Sequence, residues 1–318
     1  MVSQKPKKKP IPFFLPKKFE EKYSRLLGKE FDSFLEYSKS KLPRSIRANS
    51  LKISSQELKT RLESHSIELE AHSALENVFI VKTPFVQLGH LPEHNEGLFV
   101  VQEVSSMIPS LVLNPRPEDV VLDLAAAPGM KTVHCAELMQ NRGAIVAVDI
   151  AIERLKALWF NTNRLGVINT LVVHRDARRF FSNVQFDKML LDAPCSTEGF
   201  VRKRPDALKG WHPQLVERKA GLQKQLIQKA FSLLKPGGVL VYSTCTLAPE
   251  ENEGVVDFLL KLNRNASLEE ISIPNFKLRE GLIAYEKQRF DSSLARAVRV
   301  YPQDNDSEAF FIAKIRKA

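Results

Sequence analysis

Cysteine is scarce in this chain, with three thiols, Cys135, Cys195 and Cys245, among 318 residues. An odd, sparse set excludes a disulfide framework, and without any Cys-x-x-Cys pair a structural zinc site is not expected. Long apolar runs are lacking too. None approaches the ~18–20 residues that a membrane-spanning helix needs. The lysines near the N-terminus have no apolar stretch behind them, so a secretory leader and a membrane location are not expected. Neither Gly-x-Gly-x-x-Gly nor a full phosphate-loop pattern occurs, which removes the commonest nucleotide fingerprints. Internal repeats and low-complexity tracts are absent. A reduced, cytoplasmic setting follows, in which each thiol stays free for chemistry.

What is present is an ordinary core and an excess of base. Hydrophobic residues make up 43% and charged residues 26%, enough for a sizeable soluble core. The length suits one large domain with a smaller one. A net charge of +10 and a pI near 9.4 favour a polyanionic partner. In the first 20 residues the lysines Lys5, Lys7, Lys8, Lys9, Lys17 and Lys18, with four prolines and the single acid Glu20, mark a basic flexible arm, taken as residues 1–22. A solubilising tail and a phosphate-contacting arm explain it equally well.

Apolar residues Leu26, Leu27, Phe31, Phe34 and Leu35 recur at helical spacing between Tyr23 and Lys39. A strand over Ser45–Lys52, a helix over Ser55–Ser64 capped by Ser55, and a strand over Val78–Val81 complete a small α+β unit, residues 23–96. Arg44, Arg47 and Lys52 are concentrated near its first strand. From 97 to 318 short apolar runs alternate with helices. The runs are Val120–Leu124, Ala144–Asp149, Thr170–Val173, Asp187–Asp192, Val239–Ser243 and Phe310–Lys314. The intervening helices include Lys131–Met139, Ile152–Leu165 and Gln214–Leu234. This alternation predicts an α/β fold with a mainly parallel, Rossmann-like sheet whose strand C-termini face a ligand crevice.

Unusual residues gather at those ends. The first strand runs out through Asp123 into Ala125, Ala126, Ala127, Pro128, Gly129, Met130 and Lys131. Small residues there let the backbone approach a ligand, and the following helix offers free N–H groups. Asp149 ends the second strand, Asp176 follows the third and Asp192 ends the fourth. One such acid reads as a helix cap, but four in succession favour a nucleoside-type ligand, since carboxylates repel phosphate. The fourth strand closes in Asp192-Ala193-Pro194-Cys195-Ser196. The fifth closes in Ser243-Thr244-Cys245-Thr246, followed by Glu250-Glu251-Asn252-Glu253. Adjacent strands place both thiols beside one another and beside Asp192, whereas Cys135, in a helix, reads as a buried hydrophobe.

These motifs together resemble the RNA cytosine-C5 methyltransferase family, typified by the bacterial ribosomal-RNA enzymes and the NOP2/Sun proteins. The resemblance also takes in Val101–Met107 and the basic loop Arg202-Lys203-Arg204-Pro205-Asp206, and runs from about residue 44 to the C-terminus. It implies an S-adenosylmethionine site made by Ala125–Lys131, Asp149, Arg154, Asp176 and Asp192. It further implies Cys245 as nucleophile and Cys195 as an aid to product release; the residues alone do not choose between the thiols. Asp192 is expected at N3 of the base. RNA is the implied partner, tRNA ahead of rRNA, with a monomeric enzyme. The rival readings are an RNA-binding assembly factor without turnover and a DNA cytosine methyltransferase. The chain departs from the family at Ala125 (usually Cys), at Met130 (usually Gly), at Gln303 after Pro302, and at Ala309 before Phe310-Phe311. Lys131, Arg202, Lys203 and Arg204 are candidates to grip phosphate, the resemblance also makes Arg44, Arg47 and Lys52 candidates for RNA contact, and Phe200 and Trp211 are candidates to stack on bases.

Overall fold

The computed structural model describes residues 13–318 except Pro205. Lys5, Lys7, Lys8 and Lys9 of the expected arm lie outside the described residues. A small antiparallel sheet comes first, with strands β1 (Ser45–Ala48), β2 (Leu69–Ala71), β3 (Val78–Val81) and β4 (Phe99–Val101) in the order β2-β3-β1-β4. β4 thus belongs to this sheet rather than to the unit expected from residue 97. The helix Ser55–Ser64 covers one face. Leu58 and Leu62, four residues apart and so on one side of the helix, are fully buried with Ile46, Phe79 and Phe99. Its cap is Ser54, not Ser55: the Ser54 side chain accepts from the Glu57 N–H. Ser54→Ala is expected to cost about 1 kcal/mol in a denaturation curve of the whole chain. An unchanged midpoint would mean that water replaces the cap fully.

The second sheet is built on apolar runs without alternation, the pattern of strands covered on both faces. Its parallel centre is β5 (Val120–Leu124), β6 (Ala144–Asp149), β7 (Thr170–His174), β8 (Phe186–Asp192) and β9 (Leu234–Thr244). β10 (Ala266–Glu269), β11 (Arg279–Glu280), β14 (Val298–Val300) and β15 (Phe310–Lys317) extend it, giving the path β11-β14-β15-β9-β8-β5-β6-β7 with β10 beside β15. β12 (Ala284–Tyr285) and β13 (Gln288–Arg289) form a separate hairpin. On one face Leu122, Met189 and Tyr242 share a core with Leu226, Ile227 and Ala230 of the helix Pro213–Leu233. On the other, Val121, Leu190 and Val241 meet Ile108, Val112, Val133 and Ala136 from the helices Ile108–Leu113 and Met130–Leu138.

The last strand departs from the parallel expectation. β15 runs antiparallel to β9, with Phe311 opposite Thr244. Its N-terminal end therefore lies at the edge where the parallel strands end.

The N-terminal helices also differ from expectation. Lys17–Leu27 is helical, so residues 17–22 are not a flexible arm; Phe19 and Tyr23 are buried and Lys22 pairs with Glu250. A 3-10 turn, Gly28–Glu30, separates it from the helix Phe31–Lys39. These helices pack Phe19, Tyr23, Phe31 and Phe34 against Val201, Leu208, Trp211 and Leu247 of the larger unit. Their apolar stripe was legible, but its partner was a set of loops far along the chain.

Candidate active site

The register between β8 and β9 sets the geometry. Asp192 lies opposite Ser243, so the chain leaving each strand carries Cys195 and Cys245 to the same place. Their Sγ atoms are 2.7 Å apart and both are free thiols. Asp192 accepts from Lys131 Nζ at 2.7 Å and from Ser243 Oγ at 2.8 Å, so both its oxygens are engaged. The Cys195 side of this pair is buried, while Cys245 is half-buried.

Charge around the thiols is mixed. The neighbouring Cys195, burial, and the negative ends of Asp192 and Glu308 hold the Cys245 thiol well above its ordinary value. Burial pulls Lys131 down, but Asp192, Asp123 and Cys245 more than offset this and keep it firmly protonated. Asp123, buried under the turn and hydrogen-bonded by Thr132 Oγ1 at 2.7 Å, is pushed up to about 7 by burial.

A cavity of about 440 Å³ opens over these groups, within the range of small-molecule sites. Ala125, Ala126, Ala127, Pro128, Met130, Lys131 and Arg154 line one side, and Asp192, Cys195 and Cys245 the other. The alanines leave backbone exposed, and Gly129 turns the chain at φ +99° where an added Cβ would meet Leu158 Cγ at 3.1 Å. This small-residue cradle beside a thiol-bearing wall fits an S-adenosylmethionine-sized ligand.

Three expected cofactor residues are not on the wall. Asp149 is buried behind the turn, accepting from the Ala127 N–H at 3.1 Å and the Ala151 N–H at 2.9 Å, with Arg154 at 3.6 Å. It holds the turn in shape. Asp176 caps a short 3-10 turn and pairs with Arg178 at 2.6 Å, which keeps its carboxyl below the usual range. Gly129, too, shapes the cradle without lining it.

Several expected RNA contacts are structural instead. Arg47 is buried and paired with Glu137, Arg44 donates to the carbonyls of Thr83 and Val86, and Lys52 donates to those of Glu96 and Arg164. Arg202 is buried against Asp306 and the Ser307 carbonyl. Trp211 is packed in the core with its Nε1–H on Glu198. Lys203 and Phe200 do line the cavity, and Arg204 is exposed beside Asp206.

The sequence reading missed Glu103, from the segment before the helix Ile108–Leu113, and Glu308 and Phe310, which line the cavity because β15 enters the sheet at this edge. It also left the acidic run after Cys245 without a task. Glu251 accepts from the Ser196 N–H at 3.0 Å and from Gln223 at 2.7 Å. Asn252 ties Thr244 to the Thr246 carbonyl, and Glu253 forms a buried pair with Arg299. These groups buttress both cysteine loops. Gly199 also joins the two loops: its N–H donates to the Cys245 carbonyl at 2.8 Å, and a Cβ there would lie 2.5 Å from the Ala309 carbonyl.

Comparison with known proteins agrees with this geometry. The family described as 16S rRNA methyltransferase RsmB/F matches residues 110–316, and the N-terminal domain of 16S rRNA methyltransferase RsmF matches residues 15–104. A tRNA (cytosine(49)-C(5))-methyltransferase of Pyrococcus abyssi is 44% identical over 304 residues, covering 95% of this chain and 96% of that protein. Ribosomal RNA small subunit methyltransferase F of Shewanella amazonensis is 43% identical over 90% of this chain, which spans only 60% of that longer protein. A methyltransferase homolog protein from Pyrococcus horikoshii superposes with a TM-score of 0.84 at 36% identity, covering 96% of each chain. This chain belongs to the RsmB/F family of RNA methyltransferases.

Proposed function

We propose that the chain is an S-adenosylmethionine-dependent RNA cytosine-C5 methyltransferase acting on tRNA, with Cys245 as nucleophile. The observation that carries this reading is the pair of free thiols, Cys195 and Cys245, held together over Asp192 and Lys131 beside the small-residue cradle. Carbon 5 of cytosine is a poor nucleophile until a group adds at carbon 6, and a thiolate is well suited to that addition. Bound S-adenosylmethionine supplies the methyl group and a positive charge that favours the thiolate.

Each residue then has a task. Ala125–Met130 and Arg154 hold the cofactor, with Asp149 and Asp176 shaping the turns behind it. Lys131 and Asp192 face the base. Cys245 Sγ bonds to C6, carbon 5 takes the methyl group, a base removes the C5 proton, and the C5=C6 bond reforms as Cys245 leaves. Cys195, in contact with Cys245, assists that release. Retention of both thiols weighs against the assembly-factor reading, and the second thiol after β9 weighs against DNA.

The tRNA preference follows the tRNA-named relative, which is 44% identical over 95% of this chain. The chain is to be incubated with methyl-labelled S-adenosylmethionine and separate unmodified tRNA and rRNA pools, and the nucleosides analysed. Labelled 5-methylcytidine in tRNA is the expected result. Label confined to rRNA would transfer the assignment to rRNA, and label in neither pool would favour the binding factor.

A further inference from the structure

Glu308 takes no part in the scheme above, yet it lines the same cavity as Lys131, Asp192 and Cys245. Its side chain is 2% exposed, and Oε1 is fully buried with no hydrogen-bond partner among the described residues. Leaving such an oxygen unpaired costs roughly 1–3 kcal/mol, so its persistence calls for an explanation, such as a ligand that completes it. The placement is rigid: the Glu308 N–H donates to Glu103 Oε1 at 3.0 Å, and the next residues enter β15 beside β9.

The groups facing it come from four elements. They are Glu103 from the segment before the helix Ile108–Leu113, Lys131 from the cofactor turn, Arg202 and Lys203 from the basic loop, and Cys245 from the end of β9. Burial and Glu103 push the carboxyl up to about 8, against the opposite pull of Lys203, Lys131 and Arg202. At neutral pH it keeps its proton.

Addition of a thiolate at C6 drives charge onto N3, and a donor there lowers the barrier. Asp192 is poorly placed to be that donor, because Lys131 and Ser243 already donate to both its oxygens. We propose that Glu308 is a catalytic residue whose carboxyl O–H donates to N3 of the target cytosine while Cys245 adds to C6. The inference rests on the cytosine-C5 reading.

The electrons balance without a further reagent. As the Sγ–C6 bond forms, the C5=C6 pair moves to C4–C5, the C4=N3 pair moves to N3, and N3 takes the Glu308 proton. When the C4=C5 pair forms the bond from C5 to the methyl carbon, the pair of the broken S–CH3 bond stays on the donor's sulfur, N3=C4 reforms and the proton returns to Glu308. The C5 proton then passes to water, the C5=C6 pair is restored, and the Cys245 thiolate leaves.

The test uses the RNA pool that the wild type methylates and follows single-turnover methyl transfer across pH. Glu308→Ala is expected to slow transfer about 100-fold with unchanged S-adenosylmethionine binding. Glu308→Gln, whose amide still donates to N3, should stay within about tenfold of wild type. The wild type should stop gaining activity as pH rises through 8, because loss of the Glu308 proton then offsets the growing thiolate fraction, whereas the Gln variant should keep rising. An Ala variant within about threefold of wild type, or a Gln variant with the wild-type alkaline limb, overturns the assignment. Should the Ala variant not fold, the near-isosteric Gln variant decides through its pH profile. A wild type that makes no 5-methylcytidine in any pool removes the cytosine-C5 reading itself, which the Glu308 variants alone do not touch.

Discussion

Cys245→Ala protein is expected to lose methyl transfer to RNA by on the order of 10⁴-fold or more, because removing a covalent nucleophile removes the route and not one contribution to it. Cys195→Ala should behave differently. It keeps the thiol that adds to C6 but lacks the one that assists release, so RNA should remain bonded to Cys245 and migrate with the protein on a denaturing gel. The double variant should show no such species. The geometry makes the comparison clean: the two Sγ atoms touch, so each variant perturbs the same small volume. An adduct formed by Cys245→Ala and not by Cys195→Ala would reverse the roles, and free turnover by Cys245→Ala would end the nucleophile assignment.

The pH dependence of that reaction follows from the same surroundings. Cys195, burial, Asp192 and Glu308 hold the Cys245 thiol above its ordinary value, so the thiolate fraction of the free enzyme grows as pH rises. Cationic cofactor in the cradle favours the thiolate, so nucleophile activation is coupled to cofactor binding.

Strand ends were the most legible part of this site. Apolar runs between helices located β5, β6, β8 and β9, and the rule that parallel strands present their C-termini to the ligand placed Asp192, Cys195 and Cys245 together. That rule also explains the omissions. It concerns parallel strands, whereas β15 is antiparallel and brings its N-terminal residues, Glu308 and Phe310, to the same edge. Nothing local in Ala309-Phe310-Phe311 reveals strand direction, which is set by pairing with β9. Basic residues were misread for a related reason. Arg47 and Arg202 have the composition of phosphate contacts, but each is buried on a carboxylate, Glu137 or Asp306, far away in sequence. Asp149 and Asp176 were found at the expected strand ends, though both spend their oxygens on local backbone and Arg partners. Position along a strand tells where a residue lies; it does not tell which neighbour reaches its side chain first.

Glu198, three residues after Cys195, should give the largest stability loss in the molecule when removed. Its carboxylate is fully buried and accepts from the Tyr23 hydroxyl, Trp211 Nε1–H at 2.6 Å, Thr246 Oγ1 at 2.6 Å and the Leu247 N–H at 3.1 Å. It thereby joins the helix Lys17–Leu27 and the Trp211 segment to the loop that carries Cys245. Glu198→Ala strands four donors, each costing about 1–3 kcal/mol when left unsatisfied. Relief of burying the charge offsets part of this. A net loss of about 4 kcal/mol, or roughly 8 °C in melting temperature, is expected. Glu198→Gln keeps the shape and one acceptor, and should cost about half as much. Both variants should lose methyl transfer beyond their loss of folded protein, because Thr246 and Leu247 fix the residue before them. A Glu198→Ala protein that melts within about 2 °C of wild type would mean that the N-terminal helices are held by Phe19, Phe31 and Phe34 alone, and that the cysteine loop is positioned from the Glu251–Asn252 side.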